Sequence, residues 1–110
     1  MIARTWRGAT RTADAAAYLE YLRATGLSAY AATPGNRAVL GLSRELAGPA
    51  DAVTEFLLVS FWDSMGDIRR FSGPDPERAV FYPEDDRFLV SRDLHTSHYQ
   101  LIHSTGALTR

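Results

Sequence analysis

Three histidines lie close together near the C-terminal end of the sequence: His95, His98 and His103. Histidine is the side chain best suited to exchange protons near neutral pH, so one of them is a candidate general base. His95 and His98 have opposite parity, and a regular strand turns at most one of them to a given face. Histidines on opposite faces make a poor metal site, and no carboxylate partner lies at a suitable spacing. We therefore expect no metal ligands.

Two tryptophans and two tyrosines offer flat surfaces that can stack on an aromatic ligand. Trp62 ends the apolar run of EFLLVSFWDSM, where an Asp-Ser pair begins the next helix, and it either lines a pocket or caps the core. Trp6 either stacks with Trp62 on a planar ring or fills space. Tyr30 and Tyr82 lie on irregular segments that can close over a cavity mouth, and each phenol can donate a hydrogen bond. Ordinary loop packing is the alternative for both tyrosines.

Charged residues add one candidate. Arg4 shares a strand face with Trp6 and is costly to bury without an anion, so it predicts either a structural salt bridge or a ligand carboxylate or phenolate. Glu84, Asp85 and Asp86 form an acidic run at a predicted helix start, where the helix dipole favours negative charge. We assign this acidic run no chemistry.

Composition excludes several classes of function. The chain has 110 residues, a net charge of -1 and no cysteine, which excludes disulfides, thiolate metal sites and cysteine nucleophiles. Every cation is an arginine, so Schiff-base chemistry on lysine is excluded as well. The charged residues form no basic face that would predict nucleic-acid binding. No apolar run reaches the roughly 18 residues of a membrane span. We expect a cytoplasmic protein with one domain, residues 1–103, and a C-terminal tail, residues 104–110.

The helices and strands that position these residues are predicted from the periodicity of apolar residues and from glycine and proline positions. Strands are predicted over 1–8, 36–46, 53–62 and 94–102, and a helix over about 12–25. A short helical turn is expected within 27–35. A second helix is capped by Ser64 directly after Trp62, followed by a short helix over 75–81 and a turn at 84–89. The order strand, helix, strand, strand, helix, strand predicts an α+β, ferredoxin-like βαββαβ domain with a four-stranded antiparallel sheet.

The third strand is apolar on both faces, although helices in this arrangement cover only one face. Its side chains alternate between one set, Leu57, Val59 and Phe61, and the other set, Phe56, Leu58 and Trp62. The uncovered apolar face needs a partner, and a second copy of the chain is the simplest one. The pattern therefore predicts a homodimer that forms through the open sheet face.

Four segments carry a family resemblance: TPGNRA before a strand, SFWDSMGDIRRF, AVFYPEDDRFL and the closing HYQLI. Over residues 1 to about 102 the sequence resembles the antibiotic biosynthesis monooxygenase superfamily of dimeric α/β barrel proteins. The resemblance implies two sheets packed face to face and a pocket in each subunit lined by Trp62. His98 lies inside the HYQLI match, which makes it the candidate base. Its alternative is a histidine hydrogen-bonded within the strand or at the dimer interface.

One branch of that superfamily degrades haem with a strand-one Asn, a Trp at this junction and a His on the following helix. Here the strand-one position is Trp6, and no histidine lies between Trp62 and Val90, so haem breakdown is not expected. The resemblance instead implies a monooxygenase-type enzyme that acts without metal or flavin on an aromatic or polyketide-like molecule, with dioxygen as co-substrate. A non-oxidative cyclase, isomerase or dehydratase, or a non-catalytic binding dimer, is the alternative.

The resemblance and the residues together predict a site. His98 and Trp62 are the expected catalytic residues, and the expected substrate-binding residues are Trp6, Arg4, Tyr30 and Tyr82.

Overall fold

The structure is a computed structural model, which describes residues 1–46 and 52–106. In these two ranges the chain forms four α-helices and one antiparallel sheet. The strands are β1 Ile2–Arg11, β2 Asn36–Leu46, β3 Val53–Trp62, β4 Leu89–Arg92 and β5 Ser97–Gln100. The helices are α1 Ala15–Ala24, α2 Gly26–Ala32, α3 Met65–Ser72 and α4 Asp85–Phe88, and a 3₁₀ turn spans Thr12–Asp14. Within the predicted tail, residues 104–106 are exposed and 107–110 lie outside the described ranges.

The ferredoxin-like prediction is confirmed, but the number of strands is not four. The strand order is β2-β3-β1-β4, and β5 also pairs with β1. β5 pairs with the first half of β1, Ile2 to Thr5, and β4 with its second half, Gly8 to Thr10. The two short strands thus lie end to end along the same edge of β1, and residues 93–96 separate them. The predicted last strand was therefore only the second part of a broken edge strand.

The start of α3 follows the sequence signal closely. Ser64 accepts a hydrogen bond from the backbone N–H of Asp67 at 3.1 Å, as a capping residue does, and α3 ends at Gly73 with φ of 91°. α1 begins later than predicted, because the Thr12 hydroxyl bonds to the hydroxyl of Thr54 at 2.9 Å instead of capping the helix. The hydrogen bond between Ser64 and Asp67 confirms the predicted helix start directly after Trp62.

The short helix predicted over 75–81 does not form. This segment pairs instead with the chain between β4 and β5: the Ala79 N–H donates to the Leu94 carbonyl at 3.1 Å, and the Thr96 N–H donates to the Glu77 carbonyl at 2.7 Å. The Pro76 start signal was local, whereas these tertiary hydrogen bonds hold the segment as a turn followed by irregular backbone. The segment consequently forms a wall beside the sheet.

The core lies on the sheet face that the helices cover. The register of β1 and β3 turns Trp6, Phe56, Leu58 and Trp62 to this face, where they pack against side chains from the helices, the wall segment and β4. Those partners are Tyr18, Leu22, Tyr30, Ile68, Ala79, Phe88 and Leu89. The element order therefore places a tightly packed aromatic layer directly above β1 and β3.

The opposite face contributes no large apolar side chain to that core. Its exposed or half-buried apolar residues come from β2, β3 and β5: Ala38, Leu40, Leu42, Leu57, Val59, Phe61 and Tyr99. Leu42 is 53% exposed and Tyr99 is 60% exposed. We name these seven residues the open face. The described part of the chain has no helix of the length and apolarity that crossing a membrane requires.

Candidate functional site

A small cavity lies between the sheet and the helices, with a volume of about 30 Å³. That volume has room for roughly two water molecules. Aromatic rings from Trp6 and Phe71 and several aliphatic side chains form much of its wall. Its polar lining comes from β1, α1, α2, α4, the wall segment and the chain before β5: Arg4, Tyr18, Tyr30, Tyr82, Asp85 and Thr96.

Arg4 is a buried cation, with 2% of its surface exposed. Its two terminal nitrogens donate to the Tyr30 hydroxyl and to the Arg78 carbonyl, each at 3.0 Å. Its Nε has no hydrogen-bond partner, and no carboxylate in the described ranges forms an ion pair with it. Burial lowers the pKa of Arg4, and the Tyr30 hydroxyl partly opposes this shift. Of the two predicted roles for Arg4, the structural salt bridge is not formed.

Three phenols surround the same space. Tyr30 accepts from Arg4, and burial raises its pKa although the nearby Arg4 charge opposes that shift. Tyr18 is 1% exposed, and its hydroxyl has no hydrogen-bond partner in the described ranges; burial and then Asp85 raise its pKa. Burial also raises the pKa of Tyr82. All three phenols are therefore held in the protonated form and can donate hydrogen bonds into the cavity.

Asp85 supplies the cavity with a carboxylate that was not among the predicted site residues. It is 5% exposed, and its Oδ2 accepts from the backbone N–H of Tyr82 at 2.6 Å. Burial raises the pKa of Asp85, and the hydrogen bond from Tyr82 opposes that shift. The missed signal was its position, since Asp85 opens α4 with its side chain turned inward while Glu84 and Asp86 stay exposed.

Trp6 lines the cavity. Its indole N–H donates to the Asp93 carbonyl at 2.9 Å, which fixes the ring between β1 and the break in the edge strand. The ring lies directly over Gly8, where any Cβ would meet it at 2.4 Å. Gly8 is thus needed for the close approach of the indole to its own strand.

Trp62 does not line the cavity. It is fully buried, and its indole N–H donates to the Ser60 hydroxyl at 2.8 Å. The rings of Tyr30 and Phe71, each 6.0 Å from the indole by ring centroids, lie against it. Tyr30 and Phe71 stack on each other at 4.3 Å. Trp62 therefore supports two side chains that do line the cavity, and direct contact with a substrate has no basis in this geometry.

His98 is also absent from the cavity lining, although it lies beside Arg4. The two residues are directly opposite each other on β5 and β1, so their side chains share a sheet face. Burial and the Arg4 charge lower the pKa of His98, while Glu77 and a hydrogen bond to the Pro76 backbone raise it. The predicted role as a base in direct contact with substrate therefore lacks a geometric basis here.

The other two histidines lie elsewhere on the surface. His95 is exposed and bridges the wall segment at Arg78, and His103 is exposed beside the Thr105 hydroxyl. Nowhere in residues 1–46 and 52–106 do three histidine, aspartate or glutamate side chains converge as metal ligands would.

No protein-family model and no curated protein sequence matches this chain. Among solved structures, a Bacillus cereus protein assigned as an antibiotic biosynthesis monooxygenase superposes with a TM-score of 0.63 at 15% identity, over 97% of this chain and 96% of that one. The chain therefore has the same fold as that protein. A mutant of MhuD with two manganese protoporphyrin IX groups bound per active site superposes with a TM-score of 0.58 at 16% identity, over 97% of this chain and all of that one.

The residues that line this cavity do not fit a haem group. None of them is a histidine, cysteine or methionine that could ligate the iron. Tyr30, a possible oxygen ligand, is occupied by its hydrogen bond with Arg4. We therefore derive no step through a haem group.

Proposed function

We propose that the protein is a monooxygenase-type enzyme that acts, without metal or flavin, on a small acidic aromatic molecule. The observation that supports this proposal is Arg4, a buried guanidinium with an unpaired Nε and no carboxylate partner in the described ranges. Burying a cation without a counter-charge is costly, and such a cost is typical of a site that binds an anion. Dioxygen is the second substrate in this proposal.

The proposed reaction begins with loss of a proton from a phenol or from the acidic carbon of an anthrone. Asp85 accepts that proton, and Arg4 with the Tyr18 and Tyr82 hydroxyls stabilises the resulting anion. The electron-rich anion then reduces dioxygen, so the substrate supplies all electrons. For an anthrone, one oxygen atom becomes the new carbonyl and the other leaves as water. Exclusion of bulk solvent protects the intermediates.

Asp85 is a better candidate base than His98, because Asp85 lines the cavity and His98 does not. Its raised pKa brings a carboxyl group closer to the pH at which a base must work. Substrate entry also requires the wall around Tyr82 to move, since a cavity of about 30 Å³ has no room for a ring. Tyr82 is half-buried and lies on an irregular segment, which suits such a movement.

Oxygen uptake with an anthrone substrate tests this proposal. We expect wild-type protein to consume oxygen, with a rate that rises with pH as Asp85 ionises, because only the carboxylate accepts a proton. Asp85→Asn should lower the rate by roughly 100-fold or more, the usual contribution of a general base. The matched control is Asp86→Asn, which removes an exposed carboxylate next in sequence and should leave the rate unchanged. Equal rates in Asp85→Asn and wild type would exclude Asp85 as the base.

The raised pKa of Asp85 also favours a second candidate, a non-oxidative isomerase or dehydratase that uses the same base. Turnover of the substrate under strict anaerobic conditions would establish this alternative and exclude the oxygenase. Binding without turnover in either atmosphere would leave a non-catalytic binding protein.

We further propose that two copies associate through the open face. The supporting observation is the set of exposed and half-buried apolar side chains on β2, β3 and β5, a kind of surface that a folded protein seldom leaves uncovered. Each copy would cover the same patch on the other, as a two-fold interface requires. The cluster in which Glu55 accepts from Arg7 at 2.7 Å and from Arg44 at 2.8 Å borders this patch.

A charge placed at the centre of the open face should abolish association. We expect Val59→Arg to weaken the dimer by roughly 100-fold or more, because each interface would bury two unpaired guanidinium groups. Val90→Arg, at a 56% exposed position on β4, is the matched control and should remain dimeric. Sedimentation velocity at micromolar concentration measures both. A monomeric wild-type protein would contradict the proposed dimer.

A further inference from the structure

Two buried side-chain nitrogens lack a hydrogen-bond partner in the described part of the chain: Arg4 Nε and His98 Nε2. They belong to residues that are directly opposite each other in the β1–β5 ladder. Facing side chains in such a pair have Cβ atoms roughly 5 Å apart, so the two polar groups lie close together in a space of low dielectric. Their joint lack of partners therefore points to a shared function.

The hydrogen bonds around the pair determine which atom can change its protonation. Both terminal nitrogens of Arg4 are bonded, to Tyr30 and Arg78, so the guanidinium is held between the cavity and His98. The Pro76 backbone favours the charged form of the imidazole, and Nε2 is the buried ring nitrogen without a hydrogen-bond partner in the described ranges, so it can take up a proton when it carries the free lone pair. A proton added at Nε2 would place a second buried cation beside Arg4.

We propose that the cavity and His98 form a proton-coupled anion site, in which an anion held by Arg4 is accompanied by one proton at His98 Nε2. The anion offsets the Arg4 charge, which removes the repulsion that keeps His98 neutral. The proton comes from solvent, and the bound pair adds no net charge to the interior. This inference rests on the proposed function only in that Arg4 binds the anion.

The sign of the coupling follows from the charges that face the pair. The Arg4 charge lowers the pKa of His98, so an anion at Arg4 raises that pKa. The anion therefore binds more tightly at pH values where His98 can take up a proton. Glu77 faces His98 and favours its charged form. Asp85 lines the cavity and repels an anion when ionised, so its titration contributes to the pH dependence in the same direction.

Formate is a suitable probe, because it is small enough to replace water in the resting cavity and stays ionised from about pH 5 to about pH 8.5. NMR titrations across this range measure its affinity and, from the imidazole carbon shift, the protonation of His98. Wild-type protein should bind formate roughly five- to tenfold more tightly at the acid end than at the alkaline end. The His98 carbon should move toward its protonated shift when formate is added at constant pH.

Variants separate the two titrating groups. His98→Gln can still donate to the Pro76 carbonyl but takes up no proton, so it should bind formate with a much weaker pH dependence. Asp85→Asn should retain the part of the pH dependence of formate affinity that comes from His98. His95→Gln, at an exposed histidine three residues away, is the matched control and should behave as wild type.

The outcomes distinguish this inference from the proposed function. Formate binding that is independent of pH in wild type, or unchanged by His98→Gln, would overturn the coupling and leave the anion site intact. Absence of formate binding at every pH would overturn the anion site itself, and the proposed function with it.

Discussion

Replacing Arg4 with glutamine should lower the affinity for formate by roughly 100-fold and oxygen uptake by a factor of about 10² to 10³. The guanidinium is the only cation that lines the cavity, as far as the described residues show, and Gln retains hydrogen-bonding capacity without the charge. The loss is large because Arg4 is buried, where bulk solvent screens its charge poorly. NMR titration and an oxygen electrode measure the two effects.

Two further variants make the Arg4 result interpretable. Arg23→Gln removes an exposed arginine from α1 and should change neither affinity nor rate. Arg4→Lys keeps the charge but cannot bond to both Tyr30 and Arg78 as a planar fork does, and it should give intermediate affinity. A folded Arg4→Gln protein that binds formate as tightly as wild type would contradict an anion site at Arg4.

Replacing Trp62 with alanine should destabilise the protein by roughly 3–5 kcal/mol, the usual cost of removing a large buried aromatic. The side chain is fully buried and supports Tyr30 and Phe71. Urea unfolding measures the change, which is a large part of the total stability of roughly 5–15 kcal/mol expected for one domain. Val90→Ala, at a 56% exposed position, is the control and should cost less than about 1 kcal/mol.

A conservative change separates packing by Trp62 from catalysis. Trp62→Phe keeps a ring against Tyr30 and Phe71, though it loses the hydrogen bond to Ser60. Because Trp62 does not line the cavity, we expect the folded variant to retain oxygen uptake within about twofold. A stable Trp62→Phe protein with a rate lowered more than about tenfold would restore the direct catalytic role that the sequence suggested.

The parts of the fold with strong local signals were predictable. β3 is an unbroken apolar run, and Ser64 with Asp67 forms a capping pair that starts α3. These signals depend on neighbours within a few residues, so tertiary structure leaves them unchanged. The broken edge strand was not predictable in the same way, since pairing of β4 and β5 with one long β1 depends on residues roughly 80 to 100 positions apart.

The candidate site, too, was only partly predictable from local sequence. The sequence alone determined the fold class, the absence of lysine and cysteine chemistry, and Arg4 as a cation in need of an anion. Only tertiary structure decided that Arg4 has no ion-pair partner in the described ranges, that Asp85 turns inward and that Trp62 stands behind the cavity wall. Local sequence sets which face a residue occupies, whereas packing between distant elements sets which side chains meet across a space.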